Sequence, residues 1–248
     1  MGNKTELIRE LKKHQDDPQK LKDYIIENSN LPGPRGNIEL AFALAEVYND
    51  LDVLLKWAEI SEQEAGVNDP ESFPAFCAAV CLGKIYTNTH NEACVIRLKE
   101  MANDNRWRMR EAVAFGFQLI GENNFDNLRA IFSGWIKQTN NLEKRAILVA
   151  LAHPKFLSTE NTRFCFGITE NVLNTMDRNE NFDVLKKGLS FVISVYAAAN
   201  PEEGFRFMKR WINRDKDIDK IIRENLKKKR IAAKYPDEVD KLVVQLRS

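Results

Sequence analysis

Two residues of one short segment, Trp107 and Glu111, have the types and the spacing of a binding site for a cation. Residues four apart on a helix are surface neighbours, so the indole ring and the carboxylate can line one small patch. An aromatic ring attracts a cation through its quadrupole, and the carboxylate adds an opposite charge. The structural alternative is that Trp107 packs under an adjacent helix pair, while Glu111 pairs with Arg108 or Arg110.

The helix that must position this pair is predicted over residues 106–121 from its apolar periodicity. The stripe expected to face the core contains Met109, Ala112, Val113, Gly116, Phe117 and Ile120. The opposite side contains Trp107, Glu111, Ala114 and Gln118. Core packing does not require a tryptophan on the outer side, so its position favours a functional explanation.

Helical periodicity recurs along the rest of the chain, and no stretch alternates with period two. Further helices are predicted at 5–13, 18–28, 37–48, 51–65, 71–86, 91–102, 125–138, 142–152, 160–177, 182–199, 201–213, 217–230 and 236–247. Asn37 is expected to cap the helix that it begins. The connections are short and polar, and none resembles a domain linker, so we predict a single domain over residues 1–248.

Some of these helices form a repeat. Similar segments begin at Arg110, Lys144 and Lys187, and the separations of 34 and 43 residues bracket the period of roughly 40 typical of HEAT units. Such units cannot bury an apolar face alone and must stack on their neighbours. The sequence therefore predicts an all-α fold of the α-α superhelix class, a HEAT-like repeat solenoid.

The repeat register relates distant residues to one another. Arg145 occupies the place in its helix that Glu111 occupies in the earlier one, and Phe191 lies three residues after the equivalent Gly188. Stacked helices lie roughly 10 Å apart, so equivalent positions form a row. We therefore expect Trp107, Glu111, Arg145 and Phe191 to line one concave surface. For Phe191 the alternative is a second apolar stripe buried in the superhelix.

These segments resemble the bacterial HEAT-like-repeat alkylpurine DNA glycosylases, a DNA alkylation repair superfamily. The segment from Trp107 to Glu111 is similar to the family's W-x-x-x-D, with Glu in place of Asp. Arg145-Ala146-Ile147-Leu148 is similar to its Arg-Ala-Ile-Leu run. The stretch from Ser190 to Pro201 is similar to its G-W-x-x-x-x-Y-A-x-x-N-P, with Phe191 in place of Trp. The resemblance covers about residues 91–229.

The resemblance implies a protein that grips duplex DNA through a DNA-binding surface. It also implies that this protein excises cationic N3- or N7-alkylated purines, the first step of base excision repair. It implies that Trp107 and Phe191 cradle the deoxyribose of the lesion and that Arg145 holds a phosphate. It gives Glu111 the catalytic role of stabilising the sugar cation that develops as the N-glycosidic bond breaks. In that family the base need not be flipped into a deep pocket.

Two departures from the family keep a second hypothesis open. Glu111 is one methylene longer than Asp, and a displacement of roughly an ångström can cost about 10²-fold in rate. Phe191 also makes a smaller wall than Trp. The alternative is a non-enzymatic HEAT-repeat scaffold that binds a protein partner or branched DNA through its concave face.

Basic residues are concentrated towards the C-terminus. From Phe205 onward there are 14 Lys or Arg against 7 Asp or Glu, and because the whole chain carries +1, the preceding residues carry −6. The predicted phosphate contacts are Arg110, Arg145, Lys227, Lys228, Lys229 and Arg230. The alternative for the last four is a solvated helix end that interacts favourably with the helix dipole.

The segment from Pro32 to Asn37 can present backbone N–H groups and the Arg35 guanidinium to an anion at a helix start. Alternatively, it is only a rigid connector.

The remaining features exclude several classes of protein. No phosphate-binding Gly-Lys-Ser/Thr signature, nucleophile elbow or metal-ligand cluster appears, so we predict no cofactor and no metal. Cys77 and Cys81 lie one helical turn apart and are expected to be buried thiols. No apolar run approaches the roughly 20 residues that cross a bilayer, and the N-terminal residues lack a signal-peptide core. We therefore expect a cytoplasmic protein without a membrane partner.

Overall fold

A computed structural model describes residues 4–246 of the chain, which fold into α-helices joined by turns and two short 3-10 segments. No β-strand occurs in this part of the chain. The fold divides into two compact units, a first unit over 1–124 and a second unit over 125–248. The predicted all-α helical-repeat class is confirmed. That residues 1–248 form a single domain, and that the helices form a superhelix, stay predictions.

The helices of the first unit form two layers. Its helices are α1 (Lys4–His14), α2 (Pro18–Glu27), α3 (Ile38–Val47), α4 (Leu51–Ala58), α5 (Phe73–Thr89), α6 (Glu92–Met101) and α7 (Trp107–Asn123). In one layer α1, α3, α5 and α7 pack side by side in that order. Behind them α2 packs against α1 and α5, α4 against α5, and α6 against α5 and α7. This alternation of layers is that of stacked helix pairs.

The closest approach in the first unit is between α5 and α7, at two glycines. A Cβ atom on Gly83 would lie 2.2 Å from the carbonyl oxygen of Gly116. A Cβ on Gly116 would lie 2.5 Å from the carbonyl oxygen of Ala79. Only residues without a side chain allow the two backbones to meet here. This contact fixes the point along α5 at which α7 packs against it.

The second unit repeats the two-layer arrangement. Its helices are α8 (Phe125–Trp135), α9 (Asn141–Leu151), α10 (Thr159–Thr175), α11 (Phe182–Ala199), α12 (Pro201–Trp211), α13 (Lys216–Leu226), α14 (Lys229–Ala232) and α15 (Pro236–Gln245). In one layer α11 packs between α9 and α13. In the other layer α10 packs against α12, and both contact α11.

Buried hydrogen bonds join α9, α11 and α13, the three helices of the first of these layers. The Tyr196 hydroxyl on α11 donates to the carbonyl of Leu148 on α9 over 2.7 Å. The Asn225 side chain on α13 accepts from the backbone N–H of Ser194 and donates to the carbonyl of Leu189, each over 2.8 Å. Because these polar groups are buried, each bond also removes the cost of an unsatisfied group.

Two predicted helices end at least one full turn earlier than the sequence indicated. The predicted helix over 51–65 ends at Ala58, and a loop follows whose carbonyls accept hydrogen bonds from Arg106. The predicted helix over 217–230 ends at Leu226, and Lys228 adopts an extended backbone before α14. This break lets Ile231 reach the core, where it is fully buried. Arg247, the predicted end of the last helix, lies outside the described residues.

The cysteines agree with a further prediction. All four cysteines are buried thiols without a disulfide, and burial raises the pKa of Cys94 to about 11 and that of Cys77 well above its ordinary value. Thiols with raised pKa are poor nucleophiles at neutral pH. Between residues 4 and 246, no helix combines the length and the apolar composition needed to cross a bilayer.

Candidate functional site

The first turn of α7 places Trp107 at the surface. Trp107 is the first residue of α7 and is 47% exposed, and Glu111 follows one turn later, half-buried. All six residues of the predicted core stripe of α7 are buried. Ala114, predicted on the outer side, is also buried, because α7 is covered by both α5 and α6. The structural alternative for Trp107, burial under a neighbouring helix pair, therefore does not describe this residue.

Trp107 and Glu111 share an open depression of about 390 Å³ in the first unit, which we name the Trp107 cleft. The residues that line it are Pro34, Arg35, Gly36, Ile38, Phe76, Trp107, Arg108, Glu111 and Phe115. Phe76 and Phe115 meet edge to face with ring centroids 6.2 Å apart. The cleft thus combines an aromatic wall, one carboxylate and two guanidinium groups. Its volume lies within the range of small-molecule sites.

Arg108 joins the cleft to the loops around it. Its guanidinium lies 4.4 Å from the centre of the Trp107 ring. It donates to the carbonyl of Gly33 over 2.5 Å and to that of Val67 over 3.1 Å. Burial lowers the pKa of Arg108 below its usual range, although arginine stays protonated. One face of Trp107 is therefore covered by a protein cation, and only the other face and the ring edge are open.

The neighbouring arginines of the first unit hold backbone. Arg106 is 2% exposed and donates to the carbonyls of Ile60 and Ala65 over 2.6 and 2.8 Å. Arg110 is 9% exposed, and its Nη1 donates to the carbonyls of Asp104 and Asn105, each over 2.7 Å. The prediction that Arg110 contacts DNA is therefore corrected, because its side chain is buried and stabilises the turn before α7.

In the second unit, the predicted register between α9 and α11 is confirmed. A Cβ atom on Gly188 would lie 3.2 Å from Cγ of Arg145, so the two equivalent positions are in direct contact. Arg145 is half-buried on α9. Because residue 188 has no side chain, the aliphatic part of Arg145 lies across α11 at this point.

Phe191, one turn beyond Gly188, lies in a second depression of about 380 Å³, which we name the Phe191 depression. It is lined by Asp183, Lys186, Lys187, Ser190, Phe191, Glu224 and Lys228. Phe191 is half-buried rather than part of the core. Lys186 forms an ion pair with Asp217, which leaves Lys187 and Lys228 as the cations that border the ring. Lys187 was not among the predicted site residues, although it directly precedes Gly188, the repeat position equivalent to Arg145.

The structure separates the four residues of the predicted basic cluster. Lys227 caps α13 and pairs with Glu224 over 2.5 Å, while Lys228 lines the Phe191 depression. Lys229 and Arg230 begin α14 and are exposed, and Arg230 lines a different depression beside Val195. The prediction that residues 227–230 end one helix is therefore wrong. A favourable interaction with the dipole of α13 applies to Lys227 alone.

Trp107 and Glu111 belong to the first unit, whereas Arg145 and Phe191 belong to the second. The predicted single concave surface that joins all four stays a prediction. Compared with known protein families, with curated proteins and with solved structures, the chain matches none of them. The resemblance to the alkylpurine glycosylases likewise stays a prediction, and the two sites are interpreted from their own chemistry.

Proposed function

We propose that this chain is a DNA-binding helical-repeat protein that excises cationic N3- or N7-alkylated purines from duplex DNA, as a cytoplasmic enzyme of base excision repair. One observation carries the proposal. Trp107 and Glu111 line the same open cleft, beside Phe115. A positively charged purine has a flat ring for the aromatic wall and a charge for the carboxylate.

The chemistry requires a negative charge near the sugar. When the bond between C1′ and the purine nitrogen breaks, its electron pair leaves with the cationic base, which becomes neutral. The deoxyribose becomes a cation, water adds to C1′, and a proton is released. Glu111 would stabilise that cation electrostatically, and its half-buried position reduces screening by solvent. No metal or cofactor takes part in this scheme.

The second unit would supply contacts to the DNA backbone. Lys187 and Lys228 are at least partly accessible cations around Phe191, and Arg145 is half-buried beside Gly188 on the neighbouring helix. Phosphate contacts fix the position of a protein on a duplex and make its affinity depend on salt. Lys229 and Arg230 are exposed and could add non-specific contacts at a distance from the ring.

The test is the release of 7-methylguanine from a duplex that contains it, measured for the wild type and for Glu111→Gln. We expect Glu111→Gln to lower the single-turnover rate by at least about 10²-fold, while DNA affinity stays within a factor of about three. Glu111→Asp retains the charge on a shorter side chain and should release the base faster than Glu111→Gln. Glu62→Gln, at an exposed position outside the cleft, is the matched control.

A second candidate is a non-enzymatic scaffold that binds branched DNA or a protein partner. The observation that favours it is Arg108, which covers one face of the Trp107 ring. The same assay separates the candidates. Salt-dependent DNA binding without base release would identify a DNA binder, and the absence of both would favour the protein scaffold.

A further inference from the structure

Arg35 differs from the other arginines around the Trp107 cleft. Arg108 and Arg106 are buried and donate to backbone carbonyls. Arg35 is exposed, and within residues 4–246 no ion pair or side-chain hydrogen bond involves it. Of the two arginines that line the cleft, Arg35 is therefore the one whose N–H donors can bind a ligand.

The loop that carries Arg35 is held in place on both sides. The carbonyl of Gly33 accepts from Arg108, and the backbone N–H of Asn37 donates to the carbonyl of Ser29 over 2.8 Å. Gly36 is buried against Phe73, whose ring would lie 3.1 Å from a Cβ atom at residue 36. Because the backbone of this loop is already fixed, a ligand that binds Arg35 has to order only the side chain.

The groups of the cleft are complementary to one class of ligand. Phe115 and the open side of Trp107 offer contact for a flat ring, and Glu111 offers a charge for a cationic one. Arg35 adds a planar fork of donors, the arrangement that matches the oxygens of a phosphate. An alkylated purine nucleotide carries all three partners: the ring, the positive charge and the phosphate.

We infer that Arg35 binds the DNA phosphate next to the nucleotide whose base occupies the Trp107 cleft. This inference rests on the proposed function, because it takes the ligand to be an alkylated nucleotide in DNA. It also gives the segment from Pro32 to Asn37 a role that the resemblance did not cover. The loop closes the cleft on the side opposite α7 and positions the nucleotide through its phosphate.

Arg35 also borders a second depression, which is lined by Glu6, Glu10 and Tyr24 among others. Glu10 already pairs with Lys13 over 2.7 Å. If Arg35 only balanced these carboxylates, its replacement would change stability and leave DNA affinity unchanged. This competing role is therefore an outcome that the experiment can detect.

The experiment measures the affinity for a duplex with one 7-methylguanine, in which each phosphate around the lesion is replaced in turn by a neutral methylphosphonate. We expect Arg35→Gln to weaken binding about tenfold and to reduce the slope of log affinity against log salt by about 1. In the wild type, one methylphosphonate should cause a loss of similar size. In Arg35→Gln, the same methylphosphonate should have no further effect, because the interaction is already lost.

Two variants serve as controls. Arg97→Gln removes an arginine of α6 that pairs with Glu100 and lines neither depression, and it should bind like the wild type. Arg35→Lys retains the charge without the planar fork and should recover part of the affinity. This recovery would show that the loss in Arg35→Gln is not caused by misfolding.

The outcomes separate the inference from the proposed function. If the wild type binds the lesion duplex but the methylphosphonates affect it in the same way as they affect Arg35→Gln, the role of Arg35 is overturned. The proposed function then remains intact. Wild type without salt-dependent binding to this duplex overturns the proposed function, and the role of Arg35 with it.

Discussion

The buried arginines around the start of α7 and the lysines around Phe191 use their charges in different ways. In the first unit, Arg106, Arg108 and Arg110 are buried around the start of α7 and donate to backbone carbonyls. In the second unit, Lys187 and Lys228 border the Phe191 depression. A run of arginines beside a candidate site residue is therefore not by itself a ligand-binding site. The loop carbonyls of the same fold compete for the guanidinium donors.

This difference has a physical cause. The loop over 59–69 contains carbonyls that no helix satisfies, and a long side chain with several donors can satisfy two or three of them at once. The second unit has instead buried amide and hydroxyl groups between its helices, such as Asn225 and Tyr196. Its Lys144 is also buried and donates to the carbonyl of Thr175 over 2.6 Å, whereas Lys187 is exposed and Lys228 is half-buried. Removal of the buried arginines Arg106, Arg108 and Arg110 should therefore lower stability, whereas removal of Lys187 or Lys228 should leave stability nearly unchanged.

The largest effect is expected for Arg106→Met in the first unit. The variant removes three hydrogen bonds, to the carbonyls of Ile60, Ser61 and Ala65, and a 2.6 Å ion pair with Asp104. Breaking a buried pair of this kind costs roughly 3–5 kcal/mol. Urea unfolding followed by circular dichroism measures the loss, and hydrogen exchange should show it first in the 59–69 loop.

Arg206→Met in the second unit is the matched control. Arg206 pairs with Glu202 and Glu203, but its side chain is 55% exposed, so we expect a change below about 1 kcal/mol. Equal losses for the two variants would contradict the contrast between buried and exposed arginines.

A smaller effect is expected for two tyrosines, one in each unit. Tyr196→Phe removes the buried hydrogen bond to the carbonyl of Leu148 and should lower the free energy of unfolding by about 1–3 kcal/mol. Tyr48 is 6% exposed, its hydroxyl has no hydrogen-bond partner within residues 4–246, and burial raises its pKa to about 12. Tyr48→Phe should therefore be neutral or stabilising, because it removes an unsatisfied polar group.

Both tyrosine variants keep the aromatic ring, so the ring's packing is retained in each variant. The comparison of urea midpoints isolates the hydroxyl groups. A loss in Tyr48→Phe as large as that in Tyr196→Phe would mean that the Tyr48 hydroxyl is satisfied after all.

The predictable features of this fold were those whose causes are local in sequence. Asn37 caps its helix through its own side chain, as the residue type indicated. The proximity of Trp107 and Glu111 followed from one helical turn. The early end of α4 was not predictable from its own residues, because Arg106, more than 40 positions later, takes the carbonyls that follow it.

The same limit applies to the candidate site. The contact between Arg108 and Gly33 spans 75 residues, and it joins the loop that carries Arg35 to the start of α7. The sequence showed an arginine-containing loop and an aromatic-carboxylate pair, but no local pattern linked them. In the second unit, the stacking of Arg145 over Gly188 was predictable, because repeat spacing encodes which helices are neighbours.

The smallest effect is expected from the lysines of the second unit. Lys228 borders Phe191, whereas Arg230, two residues later, lines a separate depression beside Pro154 and Val195. If the Phe191 depression lies along the DNA backbone, Lys228→Ala should weaken binding to a duplex about threefold to fivefold and lower the salt slope by about 1. Arg230→Ala removes the same charge and should change affinity less. Fluorescence anisotropy across a series of salt concentrations measures both quantities. Equal effects of the two variants would indicate that DNA responds only to the net charge of this segment, and the distinction between the Phe191 depression and the rest of the basic surface would then be lost.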